Sequence, residues 1–108
     1  MIDMVKHPRY QAMDNARQHE IPVAFDRHNT GKFRMKKIEP REPKERIPGP
    51  LPRPTFQVLE KNGNLVAFFH PNGHAECRNA SFRVIFDKMQ RDIEEAASEA
   101  LDNFEKGL

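Results

Sequence analysis

The chain has 108 residues, of which 37% are hydrophobic and 31% charged, with 18 Lys and Arg against 16 Asp and Glu. This length predicts one domain, and the composition excludes full disorder while leaving too little apolar chain for a large buried active site. No run approaches the ~18 apolar residues of a membrane span, and the N-terminus lacks the apolar core of a signal peptide. Because the single cysteine excludes an intrachain disulfide, we expect a cytoplasmic protein that does not enter a membrane.

Charge is divided unevenly along the chain. Residues 1–56 contain twelve Lys and Arg against seven Asp and Glu, whereas residues 57–108 contain six against nine. The N-terminal half therefore favours an acidic partner, either nucleic acid or an acidic protein surface. Binding of one copy's basic half to another copy's acidic half is a further alternative, which would make a homo-oligomer.

Two short elements are predicted before the proline-rich part of the chain. Residues 1–20 contain a short helix with Tyr10 and Met13 on a thin apolar side. Residues 21–39 contain two extended runs on either side of Asn29-Thr30-Gly31. This pattern predicts a basic β-hairpin.

Residues 40–54 contain six of the nine prolines in the chain. Proline lacks a backbone donor and restricts φ, and it pushes the residue before it toward extended backbone. This density excludes a helix and a central strand. The segment is therefore predicted to be an extended arm or linker that lies along another surface.

Residues 55–108 carry the strongest structural signals in the sequence. Alternating β-branched and aromatic residues around the turns at Asn62-Gly63 and Pro71-Asn72-Gly73 predict a three-strand antiparallel meander. Apolar residues spaced by three and four over residues 82–104 then predict a helix of about six turns. The predicted fold class is α+β: a small antiparallel three-strand meander packed on one C-terminal helix, preceded by the N-terminal helix, the hairpin and the proline-rich arm.

The core of this βββα unit is small, because about fifty residues bury only a modest fraction of their unfolded surface. We therefore expect either that the N-terminal hairpin adds strands to the sheet or that a partner completes the core. The face that covers the helix is predicted to carry Phe56, Val58 and part of the set Leu65, Ala67 and Phe69, or the alternate set Val66 and Phe68. The opposite face of a three-strand sheet offers few basic residues, namely Lys61 and Arg78.

In topology alone, a three-strand meander followed by a helix is similar to the small sheet-plus-helix DNA-binding domains at the N-termini of some tyrosine recombinases. The resemblance covers residues 55–105 and involves no sequence motif. Those domains present basic residues on the open face of the sheet. The resemblance therefore implies DNA binding by a sheet.

Potential metal ligands cluster in one place, where His70, His74 and Cys77 follow one another around a turn. Zinc binds both residue types, but a structural site uses four ligands, and no fourth is evident nearby. Extended backbone places His74 and Cys77 on opposite faces of a strand, which disfavours a nucleophile–base pair. We predict polar turn and edge-strand residues with an inert thiol, and neither a cofactor nor catalytic residues.

Acidic residues line one side of the predicted C-terminal helix. The candidates are Asp92, Glu95, Glu99 and Asp102. Such a run is typical of a solvated helix face. Its position near the helix C-terminus opposes the helix dipole, which indicates an acidic binding face as the alternative.

Ten residues between positions 27 and 53 are the candidates for binding a partner or nucleic acid. They are Arg27, Lys32, Phe33, Arg34, Lys36, Lys37, Arg41, Lys44, Arg46 and Arg53. The cations could neutralise phosphates, and Phe33 together with Phe25 could stack on unpaired bases. Three interspersed glutamates dilute this charge, so a groove on a protein surface fits the segment better than a nucleic acid backbone does.

These patterns predict a non-enzymatic interaction protein, either an accessory subunit or an inhibitor of a larger protein assembly. Its βββα domain serves as the anchor, and residues 21–54 wrap along the partner. The alternative is a nucleic-acid-binding protein that uses the basic hairpin and the arm. The third hypothesis is an enzyme or metalloprotein centred on His70, His74 and Cys77.

Overall fold

The structure is a computed structural model that describes residues 8–40 and 53–107. In chain order it contains helix α1 (Pro8–His28), strands β1 (Phe33–Ile38), β2 (Thr55–Glu60), β3 (Leu65–Phe69) and β4 (Ala75–Cys77), a one-turn 3-10 helix (Ala80–Phe82) and helix α2 (Arg83–Lys106). This arrangement confirms the predicted α+β class. Most of the predicted proline-rich arm falls on residues 41–52, which lie outside the described residues.

Helix α1 continues through the segment in which the sequence predicted the first strand of a basic hairpin, so that prediction is wrong. Ile21, Ala24 and Phe25 are buried, and their spacing of three and four residues places them on one face of the helix. Burial of this face outweighs the β-branched residues and Pro22, which removes one backbone donor from the helix interior. Only the second run of the predicted hairpin forms a strand, β1.

Four antiparallel strands form one sheet in the order β1-β2-β3-β4. Strands β2, β3 and β4 are the predicted meander. Gly63 and Gly73 adopt positive φ angles of 94° and 96° in its two turns, which glycine does without a steric penalty. β1 pairs with β2 along its whole length, beginning with Phe33 opposite Glu60. The chain before residue 40 thus adds one strand to the sheet rather than a hairpin.

Strand β3 contains one extra residue relative to β2. Val58 lies opposite Ala67, but the next residue of β2 lies opposite Leu65, so Val66 has no partner in β2. This irregularity has the form of a β-bulge, and both Val66 and Ala67 are fully buried. Ala67 and Phe69 of the first predicted set face the helices, together with Val66 of the alternate set. Leu65, which the first set also included, is not part of the core.

Both helices pack on the same face of the sheet. The core contains these buried residues: Phe56, Val58, Ala67 and Phe69 from the sheet, Ile21, Ala24 and Phe25 from α1, and Ile85, Phe86, Met89 and Ile93 from α2. The Phe69 and Phe86 rings stack with their centroids 5.2 Å apart. Burial of one large apolar side chain contributes about 1.5–3 kcal/mol, so this single cluster holds the two layers together.

The predicted C-terminal helix is confirmed as α2, which follows a 3-10 turn directly. Asn79 caps that turn, because its Oδ1 accepts a hydrogen bond from the Ser81 amide at 2.7 Å. The apolar stripe of α2 is buried at Ile85, Phe86, Met89, Ile93 and Ala97. Within residues 8–40 and 53–107, neither helix is long and apolar enough to cross a membrane.

Candidate functional site

Three of the ten candidate residues of the basic segment lie outside the described residues: Arg41, Lys44 and Arg46. Two others are bound within the fold. Arg27 Nη1 donates to Asp92 Oδ2 at 2.7 Å, and this bond raises the pKa of Arg27. Arg53 donates to the side-chain oxygens of Asn15 and Gln18 on α1. Both side chains therefore hold elements of the fold together and are engaged in internal contacts.

The two phenylalanines proposed for base stacking differ in their exposure. Phe25 is buried in the core with 5% exposure. Phe33 packs against the core, where its ring meets Phe82 edge to face at 5.0 Å. Burial rules out Phe25 as a stacking residue. Phe33 keeps partial exposure and lines a cleft together with Lys32 and Lys61, so its role stays a prediction.

Two further basic candidates, Lys32 and Lys37, lie at the margins of β1. Lys37 Nζ is 3.3 Å from Glu39 Oε1, and both side chains are exposed. Lys32 precedes β1 and lines, together with Lys61, a shallow cleft of about 470 Å³. This cleft lies beside the β2–β3 turn, so it places two cations at one end of the sheet.

Among the predicted acidic residues, Asp92 belongs to a contact between the helices. Its Oδ2 lies 2.6 Å from His28 Nε2 and also accepts from Arg27. The hydrogen bond with His28, supported by the one from Arg27, lowers the pKa of Asp92 although desolvation opposes this shift. Asp92 therefore holds α2 to α1, which corrects its assignment to an acidic binding face.

The remaining predicted acids are exposed on α2. Glu95, Glu99 and Asp102 line a shallow depression of about 490 Å³. Glu94, which was not among the candidate residues, pairs with Arg17 of α1 at 3.1 Å. One side of the acidic helix is thus neutralised by α1, and the other side faces solvent.

The three candidate metal ligands lie on two different faces of the sheet. The His70 and His74 rings stack with centroids 5.6 Å apart on the face away from the helices. Cys77 lies opposite Ala67 on the core side, and its Sγ donates to the Asn79 carbonyl at 3.2 Å. In the part of the chain that the structure describes, no group of three or more His, Cys, Asp and Glu side chains is placed to hold a metal ion. The sheet itself separates Cys77 from both histidines.

The sheet face away from the helices is not covered by any element in residues 8–40 and 53–107. Gln57 and Phe68 keep partial solvent exposure there, although they belong to the two central strands. We call this surface the open face. It is formed by Arg34, Lys36, Ile38, Thr55, Gln57, Leu59, Leu65, Phe68, His70, His74, Glu76 and Arg78.

Strand β1 supplies the basic part of the open face. Phe33 and Met35 pack against the core, so the alternating residues Arg34 and Lys36 lie on the opposite face of the strand. Both are exposed. The four-stranded sheet therefore presents more basic residues on this face than the three-strand meander does by itself.

Aromatic rings occupy the other half of the open face. His70 stands at the end of β3, where its Nδ1 is 2.8 Å from Thr55 Oγ1. Burial, together with the electrostatic influence of His74, lowers the pKa of His70, which favours the uncharged form of this ring. The Arg78 guanidinium lies 5.8 Å from the centroid of the Phe68 ring, a cation–π distance.

Charge differs between the sheet and the helical layer. Residues 29–40 and 53–82, which contain the sheet, carry seven Lys and Arg against three Glu. Residues 83–107, which contain α2, carry four against seven Asp and Glu, and α1 carries three of each sign. The open face therefore lies on the positive side of the molecule.

The candidate residues from the sequence include the basic half of the open face but not its aromatic half. Arg34 and Lys36 are among them, whereas Phe68 is predicted only as one of two options for the core. The available signal is the alternation of Phe33, Arg34, Met35 and Lys36, which indicates a strand with one buried face. The position of that strand beside β2 is not encoded in any short stretch of sequence.

Similarity to known proteins does not assign this chain to a family. No protein-family model matches it, and neither a curated protein nor a solved structure is significantly similar to it. The resemblance in topology to recombinase DNA-binding domains is therefore not accompanied by a structural match.

Proposed function

We propose that the chain is a non-enzymatic binding module of the cytoplasm that contacts nucleic acid through the open face of its sheet. The observation that carries this proposal is that Arg34, Lys36 and Arg78 share one face of the sheet with Phe68, and that the described residues leave this face uncovered. Cations of this kind neutralise phosphates, and an aromatic ring offers a stacking surface to a base. The proposal keeps the nucleic-acid hypothesis and moves its binding surface from a hairpin to a sheet.

Arg34 and Lys36 of the open face are freer to bind a partner than the two arginines that join the helices. Arg17 and Arg27 are bound by acids of α2 at 3.1 and 2.7 Å. Within the described residues, Arg34 and Lys36 form no ion pair, and both are exposed. They can replace counterions at phosphates without first breaking an internal contact.

The distribution of acids supports the same orientation. Most of the acidic side chains of α2 lie in the layer that faces away from the open face. The open face contains one acid, Glu76, whose Oε1 is 3.7 Å from Arg78 Nε. An exposed pair at this distance contributes little energy, so Arg78 can exchange it for a phosphate. The net field therefore directs an anionic partner to the sheet.

A larger protein assembly with an acidic surface is the second candidate partner. Its support is the pair Leu59 and Leu65, which lie opposite each other on the open face and are only partly buried. An apolar centre with a charged rim is common in protein interfaces. A second copy of the chain, offering Glu95, Glu99 and Asp102, belongs to the same class. Nucleic acid is the preferred partner because Lys and Arg outnumber Glu by seven to three in the residues that contain the sheet, 29–40 and 53–82.

The proposal is tested by titrating the full chain with labelled DNA and RNA at low and at physiological salt. We expect salt-dependent binding by the wild type. In the variant Arg34→Ala/Lys36→Ala, the slope of log affinity against log salt should be smaller by about 2, because two phosphate contacts are lost. The matched control is Lys88→Ala/Arg91→Ala, which removes the same charge from the exposed side of α2 and should leave the slope unchanged.

Two outcomes contradict the proposal. The first is the absence of salt-sensitive binding to every nucleic acid tested. The second is an equal loss in both double variants, since binding then follows net charge rather than the open face. If the wild type captures an acidic protein, Arg34→Ala/Lys36→Ala does not, and no nucleic acid binds, the second candidate replaces the first.

A further inference from the structure

Three aromatic side chains form a continuous cluster on the open face. The Phe68 centroid lies 5.3 Å from that of His70 and 5.6 Å from that of His74, and the two imidazoles stack at 5.6 Å. Phe68 and His70 keep partial exposure, and His74 is exposed. An aromatic cluster that is open to solvent and bordered by a guanidinium, here Arg78, is a suitable stacking platform for a base.

The strand register sets the distance between this cluster and the cations of β1. Lys36, Gln57 and Phe68 lie in one cross-strand row on three adjacent strands. Adjacent strands are about 4.8 Å apart, so the backbones of Lys36 and Phe68 are separated by roughly 10 Å. The Gln57 amide lies between them and can donate to or accept from a base edge. A nucleotide with its phosphate at β1 can therefore place its base on the cluster.

From this arrangement we infer that the open face binds single-stranded nucleic acid, with phosphates at Arg34 and Lys36 and an unpaired base stacked on Phe68 and His74. The inference rests on the proposed function and adds the form of nucleic acid that is bound. In a duplex the flat faces of the bases are covered by their neighbours, and only their edges are accessible in the grooves. An unpaired base exposes its whole face and can lie on an aromatic ring.

The shape of the cluster also favours an unpaired base over a duplex. Proteins that insert apolar side chains between paired bases use a protruding wedge to unstack them. Phe68 is partly buried within a central strand and has His70 and His74 against its ring, so it does not protrude in this way. A recessed aromatic surface of this kind is better suited to receiving a base that has already left its stack.

The test compares a labelled oligothymidylate with a DNA duplex of the same length, using fluorescence anisotropy, the full chain and one salt concentration. We expect the oligothymidylate to bind more tightly. Phe68→Leu keeps an apolar side chain and removes the ring, so it should weaken oligothymidylate binding about tenfold with an unchanged salt slope. Phe68→Tyr keeps the ring and should bind like the wild type.

A second variant protects the test against a change in folding. His74 is exposed in the β3–β4 turn, so His74→Ala removes an aromatic ring without opening the core. It should weaken oligothymidylate binding in the same direction as Phe68→Leu, by a smaller factor. Thermal melts of both variants show whether either one has lost its fold. The oligothymidylate affinity of the variant that stays folded is then compared with that of the wild type.

The inference is overturned if the duplex binds as tightly as the oligothymidylate, or if the folded ring-deletion variants bind like the wild type. In both cases a reduced salt slope in Arg34→Ala/Lys36→Ala still supports the proposed function, so the two proposals fail separately. If neither form of nucleic acid binds, both proposals are rejected.

Discussion

The contact between the two helices and the open face of the sheet both contain arginines, but the fold uses them differently. Between the helices, Arg17 pairs with Glu94 and Arg27 pairs with Asp92. On the open face, Arg34 has no ion pair in the part of the chain that the structure describes. The position of a basic residue in the fold, rather than its type, decides whether it stabilises the protein or is accessible to a partner.

Burial makes the structural role of Arg17 stronger than that of the exposed cations. Arg17 is bound to Asp14 at 3.0 Å as well as to Glu94, and Asp14 is buried with 4% exposure. A charge in a buried site interacts more strongly than one in water and is costly to leave uncompensated. The exposed cations of β1 are solvated, so removing one leaves no uncompensated buried charge. A substitution there should change binding and not folding.

The largest expected effect is at a residue that supports both regions. Phe69 is 1% exposed, belongs to β3 and stacks on Phe86 of α2. Phe69→Ala should lower the free energy of unfolding by about 3–5 kcal/mol, because it leaves a cavity in the core. Urea denaturation measures this loss. Val84→Ala, at a residue that is 64% exposed, is the control and should change it by less than about 0.5 kcal/mol. A loss below about 1 kcal/mol at Phe69 contradicts the single shared core.

An effect of intermediate size is expected when one arginine from each region is substituted. Arg17→Ala removes a charged donor from Asp14 and Glu94, and should lower the free energy of unfolding by roughly 1–3 kcal/mol. Arg34→Ala should lower it by less than about 0.5 kcal/mol. The two variants are compared by urea denaturation and by oligonucleotide binding, in which Arg34→Ala should show the larger loss. Equal stability losses would falsify the comparison, because Arg34 would then be bound within the fold.

The smallest effect concerns pH. Folding lowers the pKa of Asp92, chiefly through the hydrogen bond with His28. The carboxylate therefore stabilises the fold above the ordinary pKa of aspartate, and this contribution is lost as pH falls through the lowered value. Between neutral and acid pH, the wild type should lose more stability than Asp92→Asn, by no more than about 1 kcal/mol because the pair is partly exposed. Denaturation at a series of pH values measures the difference.

The control is Glu99→Gln, whose stability should depend on pH as that of the wild type does. If all three proteins show the same pH dependence, Asp92 is not its source.

Local signals explain why the second half of the fold is predictable. Turns at Gly63 and Gly73 and the apolar stripe of α2 depend on residues a few positions apart. Residues 21–25 show the opposite case. Their β-branched residues and Pro22 favour an extended run, but burial of one helical face against the sheet overrides this preference.

The candidate site was only partly predictable for a related reason. The basic character of β1 is visible in the sequence, and Arg34 and Lys36 are among the predicted residues. The residues beside them in the sheet are not visible in the sequence. Lys36 lies in one row with Gln57 and Phe68 only because strands that are distant in the chain pair with each other. A shift of one residue in that pairing moves every side chain to the other face, so no composition argument can identify the site.

The sequence by itself determined the α+β class, the meander of β2, β3 and β4 and the long helix α2, since turn chemistry and apolar periodicity act over short distances. Tertiary structure alone decided that α1 extends to His28, that β1 pairs with β2, and that Asp92 binds α1 while Arg34 and Lys36 face solvent. These outcomes depend on burial and pairing between residues far apart in the chain. Such terms have no local signature, because their energy exists only once both surfaces are in contact.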